Sequence, residues 1–367
     1  MQVLHVSGAR NWGGNEQQLL DLIPELEKIE VSNIIFGVER SPLERECQKR
    51  NIPFIKCKGK KLNKFSNYKF LKQIIKEYKP HAIHLHTSDS LTLYTISDLL
   101  FRLNTPTVFS KKGMGGSSSF LSKFKYNYKN VSAVICVSER VKQEFSTILS
   151  ERNKSKLKVI YDGISIERIK EPIYDLIEKL GINKEKQIIG NIANHVKAKD
   201  LPILIEAMNE LVNLHQEKNV HLIQIGRFNE KITPELKNRI RQYKLTDYIT
   251  LAGFVEDASS FISQFDIYVM SSEREGLPLT IYEAFYKKIP VVSTKAGGTP
   301  EVITDEENGL LVDVKDYKML AEKVRLLLSN QTLKDMFSQN SYHLLTENYT
   351  SKHCAQKTLQ LYKNIVK

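Results

Sequence analysis

The sequence has little of what marks a stapled or membrane-spanning protein. Its four cysteines, Cys47, Cys57, Cys136 and Cys354, form no CxxC pair and have no histidine cluster near them in sequence. That scatter argues against a disulfide framework or a structural zinc site, and predicts four reduced, mostly buried thiols. No apolar run approaches the roughly 20 residues needed to cross a bilayer. The opening Met1-Gln-Val-Leu-His-Val-Ser7 lacks a basic stretch followed by a long apolar core, so it reads as a first buried strand and not as a signal peptide. A cytoplasmic protein is the expectation. Neither an internal repeat nor a low-complexity linker is present, which places the hinge between any two domains in a short segment near Gly163–Pro172.

What is present is a regular alternation. Strand-like runs at Val3–Ser7, Ile34–Val38, Ala82–His86, Thr107–Ser110, Val131–Val137 and Lys158–Ile160 are separated by amphipathic stretches, among them helices from about Glu16 and near Leu43–Arg50. A second series runs through Gln187–Ile192, Val220–Ile225, Tyr248–Leu251, Ile267–Met270 and Ile289–Ser293. Such alternation builds parallel sheets covered by helices. A length of 367 residues suits two such cores better than one. The reading is therefore an α/β protein of two doubly wound, Rossmann-like domains facing across a cleft. They would span residues 1–164 and 165–350, with a C-terminal amphipathic helix at 351–367 completing the first.

Charge is divided unevenly. Residues 1–164 carry 27 Lys/Arg against 15 Asp/Glu, and residues 165–367 carry 27 against 27, so the first half holds the whole net charge of +12. The excess is densest from Lys56 to Lys79 and again from Lys111 to Lys129. A solvated lysine face accounts for it, as does an anionic partner such as a lipid headgroup, a lipid pyrophosphate or nucleic acid.

The stretch richest in chemistry is Ser271-Ser-Glu-Arg-Glu-Gly-Leu-Pro-Leu-Thr-Ile-Tyr-Glu283, which follows a strand. Pro278 stands where a helix would begin. The backbone amides around Gly276, Leu277, Leu279 and Thr280 would then lie at the positive end of a helix dipole, a ready site for a pyrophosphate. Glu275 and Glu283 flank it, and acceptor-only carboxylates suit hydroxyls of a sugar and of a ribose. In the first half, Gly13 and Gly14 sit between the first strand and first helix. By themselves they fit a close phosphate approach or a plain tight turn equally well.

These residues carry a resemblance. Glu275 and Glu283, Ala284, Ile289-Pro-Val-Val-Ser293, Gly297-Gly-Thr-Pro-Glu301 and Asn308-Gly-Leu-Leu311 together resemble the C-terminal signature of the family 4 retaining glycosyltransferases. The likeness extends upstream through Ile249–Asp266, Leu222–Gly226 and Ile189–Ala207, and into the first half through Gly13-Gly-Asn-Glu16, Ile83-His-Leu-His86 and Val137-Ser-Glu139. It implies the B-type (GT-B) two-domain fold and a nucleotide-diphosphate sugar as donor, a UDP-sugar by preference. It also implies no obligatory metal or other cofactor, and transfer with retention to an acceptor hydroxyl. By the same resemblance Glu275 holds donor-sugar hydroxyls, Glu283 the ribose, Gly13 and Gly14 lie beside the diphosphate and sugar, and Lys199 neutralises the β-phosphate.

Two departures stand out. The arginine usual a few residues before that lysine is absent, with Asn194 and His195 near its place and Asp200 in place of a common glycine; Lys197 is read as an exposed lysine ahead of a substitute cation. Arg227, after Gly226, is a further donor-side candidate. After the fifth strand, where relatives carry a histidine, stands Lys112, preceded by Lys111 and followed by an expected mobile loop over residues 113–119. A lysine there suits an acceptor phosphate or donor oxygen better than proton removal. Glu16, His86, Lys111 and Lys112 are the acceptor-side candidates; of the histidines His86 is the better cleft candidate, with a satisfied structural histidine slightly favoured and His84 expected on the opposite side of the strand.

The expected activity is transfer in bacterial surface polysaccharide or glycan biosynthesis, to a glycan or lipid-linked acceptor, with peripheral contact at the inner face of an anionic membrane. The rivals are a sugar-nucleotide epimerase or hydrolase on the same fold, and a dinucleotide-binding oxidoreductase suggested by Gly13-Gly14 and Glu39. The missing G-x-G-x-x-G weakens the oxidoreductase. A basic nucleic-acid-binding protein explains neither Glu275 nor Glu283, so nucleic acid is not expected as a partner.

Overall fold

The computed structural model describes residues 1–115 and 119–366. Part of the loop expected at residues 113–119 therefore lies outside the described residues. The chain forms two compact units, one of Met1–Ser165 joined by the segment from Thr350 onward, the other of Ile166–Tyr349. Each is a parallel α/β sandwich.

The first unit contains β1 (Gln2–Ser7), β2 (Ser32–Gly37), β3 (Phe54–Lys56), β4 (Ala82–Leu85), β5 (Thr107–Lys111), β6 (Ala133–Cys136) and β7 (Leu157–Val159). They pair in the order β3-β2-β1-β4-β5-β6-β7. The second contains β8 (Gln187–Ile192), β9 (Val220–Ile225), β10 (Ile249–Gly253), β11 (Ile267–Met270), β12 (Val291–Thr294) and β13 (Leu310–Val312), in the order β10-β9-β8-β11-β12-β13. Central strands such as β4, β9, β11 and β12 are buried at every residue. That is why they are mostly apolar without a strict alternation: helices cover both faces. β3 and β13 are three-residue edge strands paired to β2 and β12, and neither is singled out as a strand-like run in the sequence.

The final helix, Ser351–Ile365, returns to the first unit. The Ser351 amide donates to the Ile164 carbonyl at 2.8 Å. Gly163 permits this crossing, since a Cβ there would lie 2.2 Å from the Thr350 carbonyl oxygen. Tyr362, Cys354 and Ala355 of this helix join Val3, Leu22, Leu26 and Ala82 in one core. The second unit's core centres on Ile189, Leu204, Met208, Val269, Val292 and Val324. All four cysteines are buried free thiols. Among the described residues no helix is long and apolar enough to cross a membrane.

In both sheets chain order reverses beside the first strand of the unit, between β1 and β4 and between β8 and β11. Loops leaving the C-terminal ends of such neighbours diverge, and the crevice between them is where open α/β sheets bind ligands. The candidate residues follow these strands.

Candidate active site

In the second unit, β8 leads into a loop and a single turn at Lys197–Lys199, while β11 leads into Ser271–Pro278. The two loops are laced together. The amides of Glu273 and Arg274 donate to the Ala198 carbonyl at 2.9 and 3.2 Å, and the Ser271 hydroxyl donates to the Lys199 carbonyl at 3.1 Å. This lacing brings Lys199 and Glu275 together, Nζ to Oε1 at 2.6 Å. The Ser272 hydroxyl donates to the same Oε1 at 2.5 Å. The cation expected at a phosphate and the carboxylate expected at a sugar are thus adjacent.

The helix after them runs Leu279–Tyr286, with Pro278 as its extended N-cap. The proline therefore sits one residue before the first helical position, where its missing N–H costs the helix nothing. Among the described hydrogen bonds the amides of Gly276, Leu277, Leu279 and Thr280 have no backbone acceptor outside the helix. Intrahelical acceptors do not exist for the first turn, so a cluster of donors is left at the positive end of the helix. Glu283 is buried one turn in, and its Oε1 accepts from Arg168 NH2 at 2.8 Å. Arg168 went unnoticed in the sequence because it lies in the hinge, far from any motif; only its position just after Gly163 hinted at a role.

Beside β9, the Arg227 amide donates to Asn194 Oδ1 at 2.9 Å, and the Arg227 guanidinium stacks 4.1 Å from the Phe254 ring centre. Both Asn194 and Arg227 are exposed, as is Lys197. His195 points the other way, buried, with Nδ1 2.7 Å from the Thr233 hydroxyl and Nε2 2.8 Å from Gln224 Oε1. Gln224 Nε2 donates to the Ala193 carbonyl at 2.7 Å, which identifies Oε1 as the acceptor and His195 Nε2 as protonated. His195 is thus a brace under the loop and does not replace the absent arginine.

In the first unit Gly13 caps the helix Gly14–Lys28 with φ −160° and ψ −172°. That backbone is extended and open to any residue, so the tight-turn alternative does not hold. A Cβ at Gly13 would meet only Glu16 Oε2, at 3.4 Å. The glycine leaves space. Glu16 is buried, and desolvation pushes its carboxyl up to about 6 against the backbone hydrogen bonds that pull it down.

The other acceptor-side candidates turn inward. Lys112 forms an ion pair with Asp162, both nearly inaccessible, and also donates to Gln18 Oε1 at 2.9 Å. Its charge is matched within the unit. Lys111 donates to the Gly113 carbonyl. The expectation for the histidines needs correction: His84 and His86 do not face opposite sides. Residues two apart on a strand share a face, and their ring centres lie 4.1 Å apart. His86 is buried against His5 of β1, Nε2 to Nδ1 at 2.9 Å.

Two family models match the chain in tandem: "Glycosyltransferase Family 4" over residues 12–168 and "Glycosyl transferases group 1" over residues 173–344. The chain belongs to the family 4 glycosyltransferases. It is 25% identical over 366 residues to an uncharacterised glycosyltransferase of Methanocaldococcus jannaschii, covering 96% of this chain and 95% of that protein. It is 25% identical over 246 residues to the capsular polysaccharide biosynthesis glycosyltransferase CapM of Staphylococcus aureus, 64% of this chain and 62% of CapM. The crystal structure of Anabaena HepE in complex with UDP-glucose superposes with a TM-score of 0.85 at 20% identity, covering 99% of this chain and all of HepE. The two parallel α/β domains are those of the GT-B fold, and the protein is a glycosyltransferase.

For this glycosyltransferase the spacing between β8 and β9 is set by Gly226. A Cβ there would stand 1.9 Å from the Ala193 carbonyl oxygen, a backbone atom that cannot swing aside. Gly226→Ala is expected to cost about 3 kcal/mol and to lower the melting temperature by roughly 10 °C. It would displace the loop carrying Asn194 and Lys199 as well. Thermal unfolding measures the first effect, and an unchanged melting temperature would contradict it.

Proposed function

We propose that this enzyme transfers a hexose, with retention at the anomeric carbon, from a UDP-sugar to an acceptor hydroxyl during assembly of a bacterial surface glycan. The observation that carries the reading is the Lys199–Glu275 contact at 2.6 Å, set directly before a helix whose first amides are open to a ligand. Lys199 and those amides take the diphosphate, Glu275 the sugar hydroxyls and Glu283 the ribose. Charge developing on the departing diphosphate meets fixed donors and a cation already in place. The diphosphate itself receives the acceptor's proton on the same face of the sugar, so no enzyme nucleophile is required, nor any obligatory metal. HepE's complex with UDP-glucose and CapM's role in capsular polysaccharide biosynthesis favour the donor and the pathway. The test is a panel of nucleotide sugars screened by thermal shift, followed by NMR of the product linkage. A product of inverted anomeric configuration, or no response to any UDP-sugar, would overturn it.

Arg168 orients the Glu283 carboxylate, donating to its Oε1 at 2.8 Å and leaving Oε2 for the ribose. Glu283→Ala is expected to weaken the nucleoside diphosphate about tenfold, or ~1.4 kcal/mol, and Arg168→Ala by less. Calorimetry with UDP reads both, and an unaltered affinity in the Glu283 variant would remove that residue from the nucleotide site.

On the acceptor side the proposal includes a lipid-carried substrate and reversible contact with an anionic membrane. Beyond the charge asymmetry, the first unit exposes Phe65 (84%), Phe120 (83%) and Leu121 (77%) together with Lys58, Lys60, Lys61, Lys64 and Lys123. Exposed aromatics beside lysines suit a headgroup boundary, where each lysine contributes on the order of 1 kcal/mol. Reversing Lys58, Lys60, Lys61 and Lys64 to glutamate removes four lysines worth about 1 kcal/mol each, so partitioning onto anionic vesicles should fall roughly a thousandfold, with UDP affinity intact. Native protein that ignores such vesicles at low salt would end the membrane reading.

A further inference from the structure

Three histidines distant in sequence meet at the centre of the first unit's sheet. His5 lies on β1, His84 on the neighbouring β4 directly opposite it in register, and His86 just past the end of β4 on the same face. Each contributes a ring nitrogen within 4.8 Å of the other two, and all three side chains are buried. The donor site in the second unit does not involve them.

The hydrogen bonds around the cluster determine most of its tautomers. Asn33 Nδ2 donates to the Val31 carbonyl at 2.8 Å, so its Oδ1 is the atom facing His5 Nε2 at 2.9 Å. His5 is therefore protonated on Nε2 and presents the bare lone pair of Nδ1 to His86. His86 must donate from Nε2 across 2.9 Å, which leaves its Nδ1 a lone pair. That atom is buried without any hydrogen-bond partner. His84 is held on both nitrogens, 2.6 Å from the Tyr362 hydroxyl and 2.7 Å from the Ser110 hydroxyl. Burial depresses the basicity of all three rings, that of His5 to about 4. Imidazoles in that state are neutral ligands at ordinary pH.

We propose that His5, His84 and His86 form a binding site for a divalent transition-metal ion of the zinc class, which ties β1 to β4. Two histidines at i and i+2 of one strand with a third on the adjacent strand converge on a single point. Zn–N bonds of about 2.0–2.1 Å place ligand nitrogens roughly 3.4 Å apart, a separation between the 2.9 Å His5–His86 contact and the 4.8 Å limit of the group. Ring rotation suffices to reach it. Histidine ligands characteristically donate their second ring N–H to a fixed acceptor. For His5 that acceptor is Asn33 Oδ1, and for His84 it is the Ser110 or Tyr362 hydroxyl, whichever bond is kept when the other nitrogen turns to the ion. At the His5 Nδ1 lone pair the ion would take the place of the His86 Nε2–H, the His86 proton moving to the Nδ1 that is now buried without a partner. It lies outside the donor machinery, so transfer activity does not depend on the proposal, nor the proposal on transfer.

Because the site is buried, the ion is to be supplied during folding. The full chain is produced in cobalt- and in zinc-supplemented media, purified, and measured for metal content, for the visible ligand-field bands of four-coordinate cobalt, and by X-ray absorption at the metal edge. About one ion per chain is expected, in a shell of three imidazoles, with a higher melting temperature than the chelator-refolded chain. His84→Asn should reduce the content at least tenfold. Should that variant fail to fold, the absorption spectrum of the native chain decides alone: fewer than three imidazoles, or any sulfur, sinks the proposal. A metal content below about a tenth of an ion per chain from both media overturns it too, as does full content in a folded His84→Asn protein.

Discussion

Replacing Lys199 with alanine is expected to lower the rate of sugar transfer by roughly two to three orders of magnitude, the usual loss when a preorganised donor to a developing anion is removed. The expectation is this large because the site has few cations to spare. The arginine usual in relatives is absent, His195 is committed to Thr233 and Gln224, and Lys197 is exposed on the far end of its turn. Lys197→Ala should accordingly keep most of the activity, and Lys199→Arg should recover part of it. Lys199 also satisfies a carboxylate that is only 10% exposed, so thermal unfolding must accompany the assay to separate lost catalysis from lost structure. Steady-state rates near wild type for a folded Lys199→Ala enzyme would show that the loop is wrongly assigned.

Glu275→Gln should be almost as damaging to turnover, by about a hundredfold or more, with nucleoside-diphosphate affinity held within roughly threefold. The amide retains an oxygen for the Ser272 hydroxyl and for Lys199, so the loop should keep its shape. What disappears is the negative charge that balances Lys199 and that, in the proposed function, accepts from sugar hydroxyls. A carboxylate in that position helps most when positive charge builds on the sugar ring, which belongs to the transition state and not to the bound nucleotide. Single-turnover rates beside UDP calorimetry test the split. Because Lys199 and Glu275 touch, the double variant should lose much less than the product of the two single losses. Multiplicative losses would mean that the two residues act independently.

Much of this protein could be read along the chain, because the governing patterns are local. Parallel strands buried on both faces produce short, mostly apolar runs without strict alternation, and the helices between them keep amphipathic spacing. Eleven of the thirteen strands among the described residues were visible in that way. The segment Glu275–Glu283 carries its own evidence: glycine, proline and two carboxylates around one helix start, all within nine residues. Charge distribution is likewise a property of sequence alone.

Where a partner is supplied by a distant segment, only the tertiary structure decided. Lys199 and Glu275 are 76 residues apart and meet because β8 and β11 are neighbours. Arg168 reaches Glu283 across 115 residues. Lys112 looked like a cation facing a ligand until folding set Asp162 against it. His5 stands 79 residues from His84, its register partner on β4, and 81 from His86 just past that strand, a separation at which no cluster shows in the sequence. The physical reason is the same in each case. A strand's burial is set by its own composition, whereas which side chains share a ring of hydrogen bonds is set by strand order, and strand order is a choice made by the whole chain.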